Sequence, residues 1–483
     1  MSVVSLFNWH NFSKITLSVL LLLAAFSTHY MLMYGIVVDT PMLINVLQTD
    51  VHEANDQLSW RLVFTVILLA IIPMIWLWRQ PLHRSTWVHQ IWHNTVLFAA
   101  GLLLSFVSLQ VIFQDFASLM RNYVDMRYQI NPLNSIYAVL DYTIIPSDKP
   151  RGELQPIGLD SKITATPDRP PLLVFVLGET ARAQNFSVNG YSRETTPLLA
   201  KENITSFTKV RSCGTSTAES LPCMFSHLSR DEFNNRPHEF ENFLDVLQHA
   251  GYGVVWIDNQ SGCKGQCDRI PTLSMQALSP SESCPDGECR DTFMIHQINV
   301  ALSKLSKAQQ RNGVVIVMHQ MGSHGPAYYK RTEPRFKKFM PECTDTALSQ
   351  CERSTVLNAY DNTILQTDFF LSQVIAWLKT QEQTHTTAMM YVSDHGESLG
   401  EKNIYLHGLP YSVAPTEQTN VPFITWLSPG FENFHRIKTS CLNADRHKPL
   451  SHENLFHSVL GLMSVNTLVY QRDRDIFAHC TGH

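Results

Sequence analysis

Three long apolar runs open the chain. Residues 15–38 contain no Asp, Glu, Lys or Arg, and a helix rising about 1.5 Å per residue over that length crosses a hydrocarbon core about 30 Å thick. A second run covers residues 62–78, and a third, again free of charge, residues 95–113. The first run is longer than the apolar stretch of a cleaved secretory signal, and two further spans follow it. The pattern predicts a transmembrane domain over residues 1–115, with helices at 15–38, 62–78 and 95–113.

Beyond residue 115 the pattern changes. Residues 116–168 are mixed and interrupted by Pro132, Pro146, Pro150, Pro156 and Pro167, which predicts an amphipathic surface helix followed by a linker. Over 169–483 short apolar runs alternate with longer helical patterns. The runs are 172–177, 254–257, 314–318, 389–392 and 422–426; the helical patterns are 239–250, stopped by Gly251, then 291–310 and 354–380. Such alternation predicts an α/β catalytic domain with a central, largely parallel sheet.

Charge and cysteine content place the parts. The loop after the first span carries Asp39, Asp50, Glu53 and Asp56 against Arg61, whereas the next carries Arg79 and Arg84 and no acid. By the excess of basic residues the second loop is cytoplasmic and everything after Phe113 lies outside. A net charge of -5 without a basic run speaks against nucleic acid as a partner. All ten cysteines lie in the last part of the chain. Eight form near-neighbour couples, Cys213/Cys223, Cys263/Cys267, Cys284/Cys289 and Cys343/Cys351, which leaves Cys441 with Cys480. That suits disulfides in an oxidising compartment. A structural zinc knot at Cys263-Lys-Gly-Gln-Cys267 is the competing reading.

Three predicted strands run into polar tips. They are 172–177 into Gly178-Glu179-Thr180, 314–318 into His319-Gln-Met-Gly-Ser-His324, and 389–392 into Ser393-Asp394-His395-Gly396-Glu397. Ligands of open α/β sheets bind outside the carboxyl ends of the strands, so these tips are expected to meet. Glu179, Asp394 and His395 form an oxygen and nitrogen set suited to Zn²⁺, with a position open for a reacting group. An Asp-His pair alone is a common turn feature; its place at a strand end beside two other polar tips points to a metal. The loop Cys213-Gly-Thr-Ser-Thr217-Ala-Glu-Ser-Leu-Pro-Cys223 reads locally as a Ser/Thr-rich helix start. A hydroxyl at such a start is also well placed for phosphoryl chemistry, and a neighbouring metal would lower its pKa. No Walker-type loop and no Gly-x-Gly-x-x-Gly fingerprint in the required context is present, which argues against ATP or NAD.

Five motifs carry a resemblance. Gly-Glu-Thr-Ala-Arg at 178–182, Ser-Cys-Gly-Thr-Ser-Thr-Ala at 212–218, Gly-Ser-His-Gly-Pro at 322–326, Ser-Asp-His-Gly-Glu-Ser-Leu-Gly at 393–400 and Tyr-Leu-His-Gly at 405–408 stand in family order. They resemble the phosphoethanolamine transferases that modify lipid A and confer polymyxin resistance, including the mobile colistin-resistance enzymes. The resemblance implies an alkaline-phosphatase-like (sulfatase-like) fold, with Glu179, Thr217, Asp394 and His395 as zinc ligands and Thr217 as the nucleophile that becomes phosphoethanolamine-threonine. It makes His324 and His407 a histidine pair near the transferred phosphate, able to bind it, move protons or hold a second zinc. It assigns Asn45, Thr49, Glu53, Ser261 and Lys264 to the donor lipid. The implied donor is phosphatidylethanolamine, the implied acceptor lipid A, and the implied setting a monomer in the bacterial inner membrane with its catalytic domain in the periplasm.

Two departures from the family pattern stand out. The family has five spans and this chain begins at what resembles the third, so the first two are expected to be missing, through a late start or a shortened form. Glu219 stands where an uncharged residue is expected, and is a candidate partner for the donor's ammonium group. Transfer to another cell-envelope glycan, a phosphoglycerol transferase and a phosphatase or sulfatase-like hydrolase remain alternatives, although a sulfatase would need a Cys or Ser nucleophile motif. A non-catalytic scaffold is opposed by the intact set of site residues.

Overall fold

A computed structural model of the chain describes residues 9–48, 54, 57–81, 86–112, 128–143, 153–165, 168–278, 284 and 288–482. The chain forms two compact units, Met1–Leu43 with Leu58–Ile145, and Ile44–Gln57 with Pro146–His483.

The first unit is helical. Helix α1 (His10–Tyr34) stops short of the predicted residue 38, because Gly35 takes a left-handed conformation at φ 68° and its N–H closes on Met31 O. Helix α2 (Thr40–Gln48) follows, then α3 (Trp60–Arg79) and α4 (Trp87–Val111). Within α3, Ile67–Ile71 widen into a π turn just before Pro73. The proline has no N–H and its ring crowds the carbonyl four residues earlier, so the local hydrogen bonds lengthen their span. Three stretches of 23, 20 and 24 residues, one each in α1, α3 and α4, are long and apolar enough to cross a membrane. Lys14, near the start of α1, donates to Trp78 O at 3.0 Å and Gln80 O at 2.7 Å. It satisfies carbonyls that the end of α3 leaves open, and so fixes the two helices antiparallel. Helix α5 (Leu133–Thr143) lies within the segment expected to hold an amphipathic helix. Phe113, Thr49 and Glu53 fall outside the described residues.

The second unit is built on an eight-stranded sheet. Its strands are β1 (Pro171–Gly178), β2 (Ile204–Arg211), β3 (Gly253–Asp258), β4 (Thr272–Ser274), β5 (Val314–His319), β6 (Thr386–Ser393), β7 (Asn420–Leu427) and β8 (Leu450–Ser451). They stand in the order β8-β2-β7-β6-β1-β5-β3-β4. Neighbours run parallel except around β7, which is antiparallel to both β2 and β6. Helices cover both faces, so β1, β3, β5 and β6 are buried at every position, which is why they read as continuous apolar runs. The register sets Gly178 opposite Ser393, Leu177 opposite His319 and Asp258 opposite His319. The carboxyl ends of β6, β1, β5 and β3 are therefore side by side.

Local chemistry moves some boundaries. The predicted helix at 354–380 is α8 (Arg353–Gln381). The one at 291–310 breaks into Phe293–His296, Ile298–Leu302 and Lys307–Gln310. Ser306 starts a new capping box with Gln309, and Asp291 turns its carboxylate to the amides of Met321 at 2.9 Å and Gly322 at 3.0 Å. Residues 153–165, read as linker, are folded onto the sheet: Ile157 joins the core and Lys162–Ile163 pairs with Val465–Asn466.

Five disulfides, Cys213–Cys223, Cys263–Cys267, Cys284–Cys289, Cys343–Cys351 and Cys441–Cys480, take up every cysteine. This is the expected pairing, and the bond between Cys263 and Cys267 replaces a zinc knot there. The bridges close loops with sequence separations from 4 to 39 residues. Chain-entropy cost makes the longest worth about 4 kcal/mol and the shortest about 2 kcal/mol. The C441S/C480S pair is therefore expected to lower the melting temperature of the detergent-solubilised chain more than C263S/C267S does. Equal shifts in the two would show that loop length does not govern these bridges.

Candidate active site

Backbone constraints at the tip of β1 present Glu179. Thr180 sits in the left-handed region at φ 52°, a conformation a β-branched residue adopts only when its surroundings impose it. Tyr360 on α8 supplies that grip, accepting from Arg182 N at 2.9 Å and donating to Thr180 O at 2.7 Å. From the tip of β5, Ser323 N donates to Glu179 O at 3.0 Å. Gly322 allows this approach: it has φ 55°, and a Cβ there would stand 2.7 Å from Glu179 O.

The tip of β6 presents Asp394 and His395. Asp394 N donates to Gly178 O at 3.0 Å. Its Oδ1 accepts from His395 N at 2.7 Å and from Thr180 N at 3.2 Å. Its Oδ2 accepts no hydrogen bond from the described residues. His395 Nδ1 lies 2.9 Å from Gly396 O, so that nitrogen carries the proton and Nε2 faces the carboxylates.

Thr217 arrives from a different part of the fold. It is the first residue of α6 (Thr217–Met224), after an extended Ser216. The Cys213–Cys223 bridge closes the loop, Thr215 Oγ1 donates to Leu409 O at 2.7 Å, and Gly408 N donates to Thr215 O at 2.9 Å. The same two bonds bring His407 alongside. Ser220, one turn into α6, donates to Asp394 O at 2.6 Å.

These supports converge on four donor atoms. Thr217 Oγ1 lies 3.1 and 3.2 Å from the two Glu179 oxygens and 3.4 Å from His395 Nε2. His395 Nε2 lies 3.4 Å from Glu179 Oε1 and 3.3 Å from Asp394 Oδ2. Donors at the corners of a tetrahedron around a cation, with bonds of about 2.0–2.1 Å, stand about 3.3 Å apart. The residues therefore fit a tetrahedral metal.

Electrostatics agree with the geometry. Glu179, Asp394 and His395 are each 0% exposed. Burial and the charge of Glu179 push Asp394 up to about 7. Burial also works against a charged His395, but Asp394 and Glu179 overcome it and hold the imidazole up at about 10. Burial opposes ionisation of Glu179 as well, and the hydrogen bond and charge of His395 hold it far below the usual carboxylate range. Two carboxylates held this close demand a positive charge between them, carried by a proton or by a metal.

The histidine pair His324 and His407 lies beside this cup. The ring of His407 is 4.4 Å from that of His395 and 5.4 Å from that of His324, centre to centre. Glu397, which sequence reasoning did not single out, is 0% exposed and places Oε2 3.2 Å from His407 Nδ1. Burial pushes Glu397 up to about 8, against the pull of His324 and His395. Burial together with the charge of His395 pushes His407 down to about 3. Both partners are thus held neutral. Glu397 had a signal in its position three residues after Asp394; Asp291 and Tyr360, which support the tips from outside the motifs, had none.

The residues that the resemblance assigns to a donor lipid are less gathered. Lys264 Nζ lies 3.1 Å from Ser261 Oγ and donates to Gln48 O at 3.2 Å. Both are on the loop leaving β3, at the same end of the sheet as the cup. Asn45 lies on α2, which ends at Gln48. Glu219 accepts from Arg230 Nη2 at 3.2 Å and from Thr215 N at 3.3 Å, so its carboxylate has partners inside the protein.

Known proteins resemble the chain in sequence and in fold. Residues 171–465 match the Sulfatase family, and residues 1–144 match the family described as Phosphoethanolamine transferase EptA/EptB. The phosphoethanolamine transferase EptA of Escherichia coli K12 is 36% identical over 472 residues, 95% of this chain and 84% of that protein. The phosphatidylethanolamine transferase Mcr-1 of Escherichia coli is 39% identical over 425 residues, 86% of this chain and 78% of that protein. The solved structure of the integral membrane lipooligosaccharide phosphoethanolamine transferase EptA from Neisseria meningitidis matches with a TM-score of 0.94 at 34% identity, covering 100% of this chain and 90% of that one. Matched over both its helical membrane unit and its sulfatase-like unit, the chain belongs to the phosphoethanolamine transferase family.

Proposed function

We propose that this chain is a zinc-dependent phosphoethanolamine transferase that moves phosphoethanolamine from phosphatidylethanolamine to a phosphate of lipid A through a covalent intermediate on Thr217, and thereby confers polymyxin resistance. One observation carries the reading. The Thr217 hydroxyl, almost fully buried, stands within hydrogen-bond reach of Glu179 and His395 at the spacing of a tetrahedral metal site. A hydroxyl placed only to cap a helix would have no reason to share a cup with two buried carboxylates.

Glu179, Thr217, Asp394 and His395 would hold the ion, and an imidazole, two carboxylates and a hydroxyl are a set that zinc accepts. When bound, zinc lowers the pKa of the Thr217 hydroxyl and neutralises charge on the transferred phosphate. In the first half-reaction Thr217 Oγ1 attacks phosphorus, its proton leaves, and the bond from phosphorus to the diacylglycerol oxygen breaks, that oxygen taking up a proton. In the second, a lipid A phosphate oxygen attacks the same phosphorus, the bond from phosphorus to Thr217 Oγ1 breaks, and that oxygen regains its proton. Glu397 holds Nδ1 of His407, leaving that ring's other nitrogen for the phosphate or for the proton in transit. His324, its ring 5.4 Å from that of His407, would serve the same space. Positioning and charge compensation supply most of the rate in such transfers.

The donor would sit where Ser261 and Lys264 meet the end of α2, with Asn45, Thr49 and Glu53 completing the contact to its head group. Five disulfides behind three membrane spans support an inner-membrane anchor with the catalytic unit in the periplasm.

Mass spectrometry of lipid A from cells expressing the chain is expected to show added phosphoethanolamine, and Thr217→Ala to remove it, with a loss of transfer on the order of a thousandfold or more. Unmodified lipid A in cells with the intact protein would sink the acceptor assignment. Metal analysis of the purified chain is expected to find about one zinc per molecule. A chelator should then lower its melting temperature, whereas Glu179→Gln should leave a protein whose melting no longer responds to the chelator. An equal response in both proteins would remove Glu179 from the metal site.

A further inference from the structure

Outside the metal set, one buried side chain is tied to both halves of the site. His452 opens the short turn His452–Asn454 directly after β8 and is 1% exposed. Its Nδ1 lies 3.1 Å from Cys213 N, and its Nε2 lies 3.0 Å from Ser393 O. An amide N–H can only donate and a carbonyl can only accept. The contacts therefore settle the tautomer: Nδ1 is a bare acceptor and Nε2 carries the proton. Ser220 Oγ is 3.3 Å from the same Nδ1, but its single proton goes to Asp394 O at 2.6 Å. Burial keeps the ring neutral, in line with this arrangement.

The two partners of the ring have distinct places. Cys213 opens the loop that ends at Thr217, and Ser393 is the residue before Asp394 and His395. The imidazole thus spans the gap between the nucleophile's loop and the strand tip that carries two of the metal-binding side chains. Ser220 makes a second tie between the same two segments, on the other side of Thr217. By contrast, the direct contact of Thr217 Oγ1 with His395 Nε2, at 3.4 Å, is long and soft. A planar ring bonded at both ends has no torsion along its length and holds a separation better than a flexible chain does. Misplacing a reacting group by about 1 Å can cost about 10²-fold in rate.

We propose that His452 is a positioning residue for group transfer: as a neutral strut from Cys213 N to Ser393 O, it sets how deeply the Thr217 hydroxyl sits against Asp394 and His395. The proposal rests on Thr217 being the residue that takes up the phospho-group. It predicts an effect on the chemical step with donor binding left alone, because no bond of His452 reaches the segments assigned to the donor.

The test uses the full chain reconstituted in vesicles containing phosphatidylethanolamine. Diacylglycerol release gives kcat and KM, and mass spectrometry of the peptide containing Thr217 gives the covalent intermediate. His452→Gln retains an acceptor and a donor, whereas His452→Phe keeps a buried ring with neither. His452→Phe is expected to lower kcat by about 10²-fold with an unchanged KM and a folded protein by thermal melting, and His452→Gln to recover most of that loss. Wild-type kcat in the Phe variant, equal losses in the two variants, or a loss confined to KM would overturn the proposal. Should His452→Phe fail to fold, His452→Asn replaces it, keeping an acceptor and a donor on a side chain too short to span both partners: a fall in kcat at constant KM is again expected, and wild-type kcat overturns the strut. If the wild-type chain itself never carries a modified Thr217, the functional reading fails and takes this inference with it. A modified wild type beside an unaffected His452→Phe overturns the inference alone.

Discussion

Glu179 and Asp394 are carboxylates with no solvent exposure, each within 3.4 Å of the same imidazole nitrogen. Burying two negative charges so close is costly unless a positive charge joins them. Much of the surrounding architecture serves to make this arrangement unavoidable. The Asp394 carboxylate is pinned by two backbone amides, His395 is turned by its bond to Gly396 O, and Glu179 is held by a strained Thr180 that Tyr360 clamps from the long helix. A candidate cation site and the hydroxyl of Thr217 beside it are two consequences of one constraint.

The sheet supplies the common origin. Parallel strands β3, β5, β1 and β6 end in register, so residues far apart in sequence leave the sheet at one edge. Thr217 follows β2, whose carboxyl end lies at the same edge but one strand further out, beyond the antiparallel β7. Its position therefore depends on cross-ties from neighbouring segments: Thr215 with Leu409 and Gly408, Ser220 with Asp394, and His452 with Cys213 and Ser393. The Cys213–Cys223 bridge closes this loop on itself, and the cross-ties locate it against Glu179, Asp394 and His395.

Membrane attachment and export fit the same chemistry. A transferase whose donor and proposed acceptor are both lipids gains from being tethered beside the bilayer. A catalytic unit with every cysteine in a disulfide is suited to an oxidising compartment. The chain between the first two spans groups with the catalytic unit, and Lys264 reaches the carbonyl of Gln48 there. That contact gives the resemblance-based donor residues a physical neighbourhood, since Asn45 shares a helix with Gln48.

Much of this was legible in the chain itself. Strands buried on both faces produce unbroken apolar runs, so β1, β3, β5, β6 and β7 were each found within a few residues; three apolar helices were expected and three are present among the described residues, α4 beginning at Trp87 rather than at residue 95. The polar tips followed because α/β sheets gather ligands at strand ends. Elements with weak local signals were not found: β8 is two residues long, and 291–310 has a helical pattern that Asp291 and Ser306 interrupt for reasons that lie elsewhere in the fold. By itself the sequence determined the membrane anchor, the parallel sheet and the presence of Glu179, Asp394 and His395 at strand ends, because burial and periodicity are local properties. Only the tertiary structure decided that Thr217 Oγ1 stands within 3.4 Å of Glu179 and His395, that Glu397 backs His407, and that His452 bonds both Cys213 and Ser393. Those relations join segments up to about 240 residues apart, and no local pattern encodes a distance of 3 Å between them.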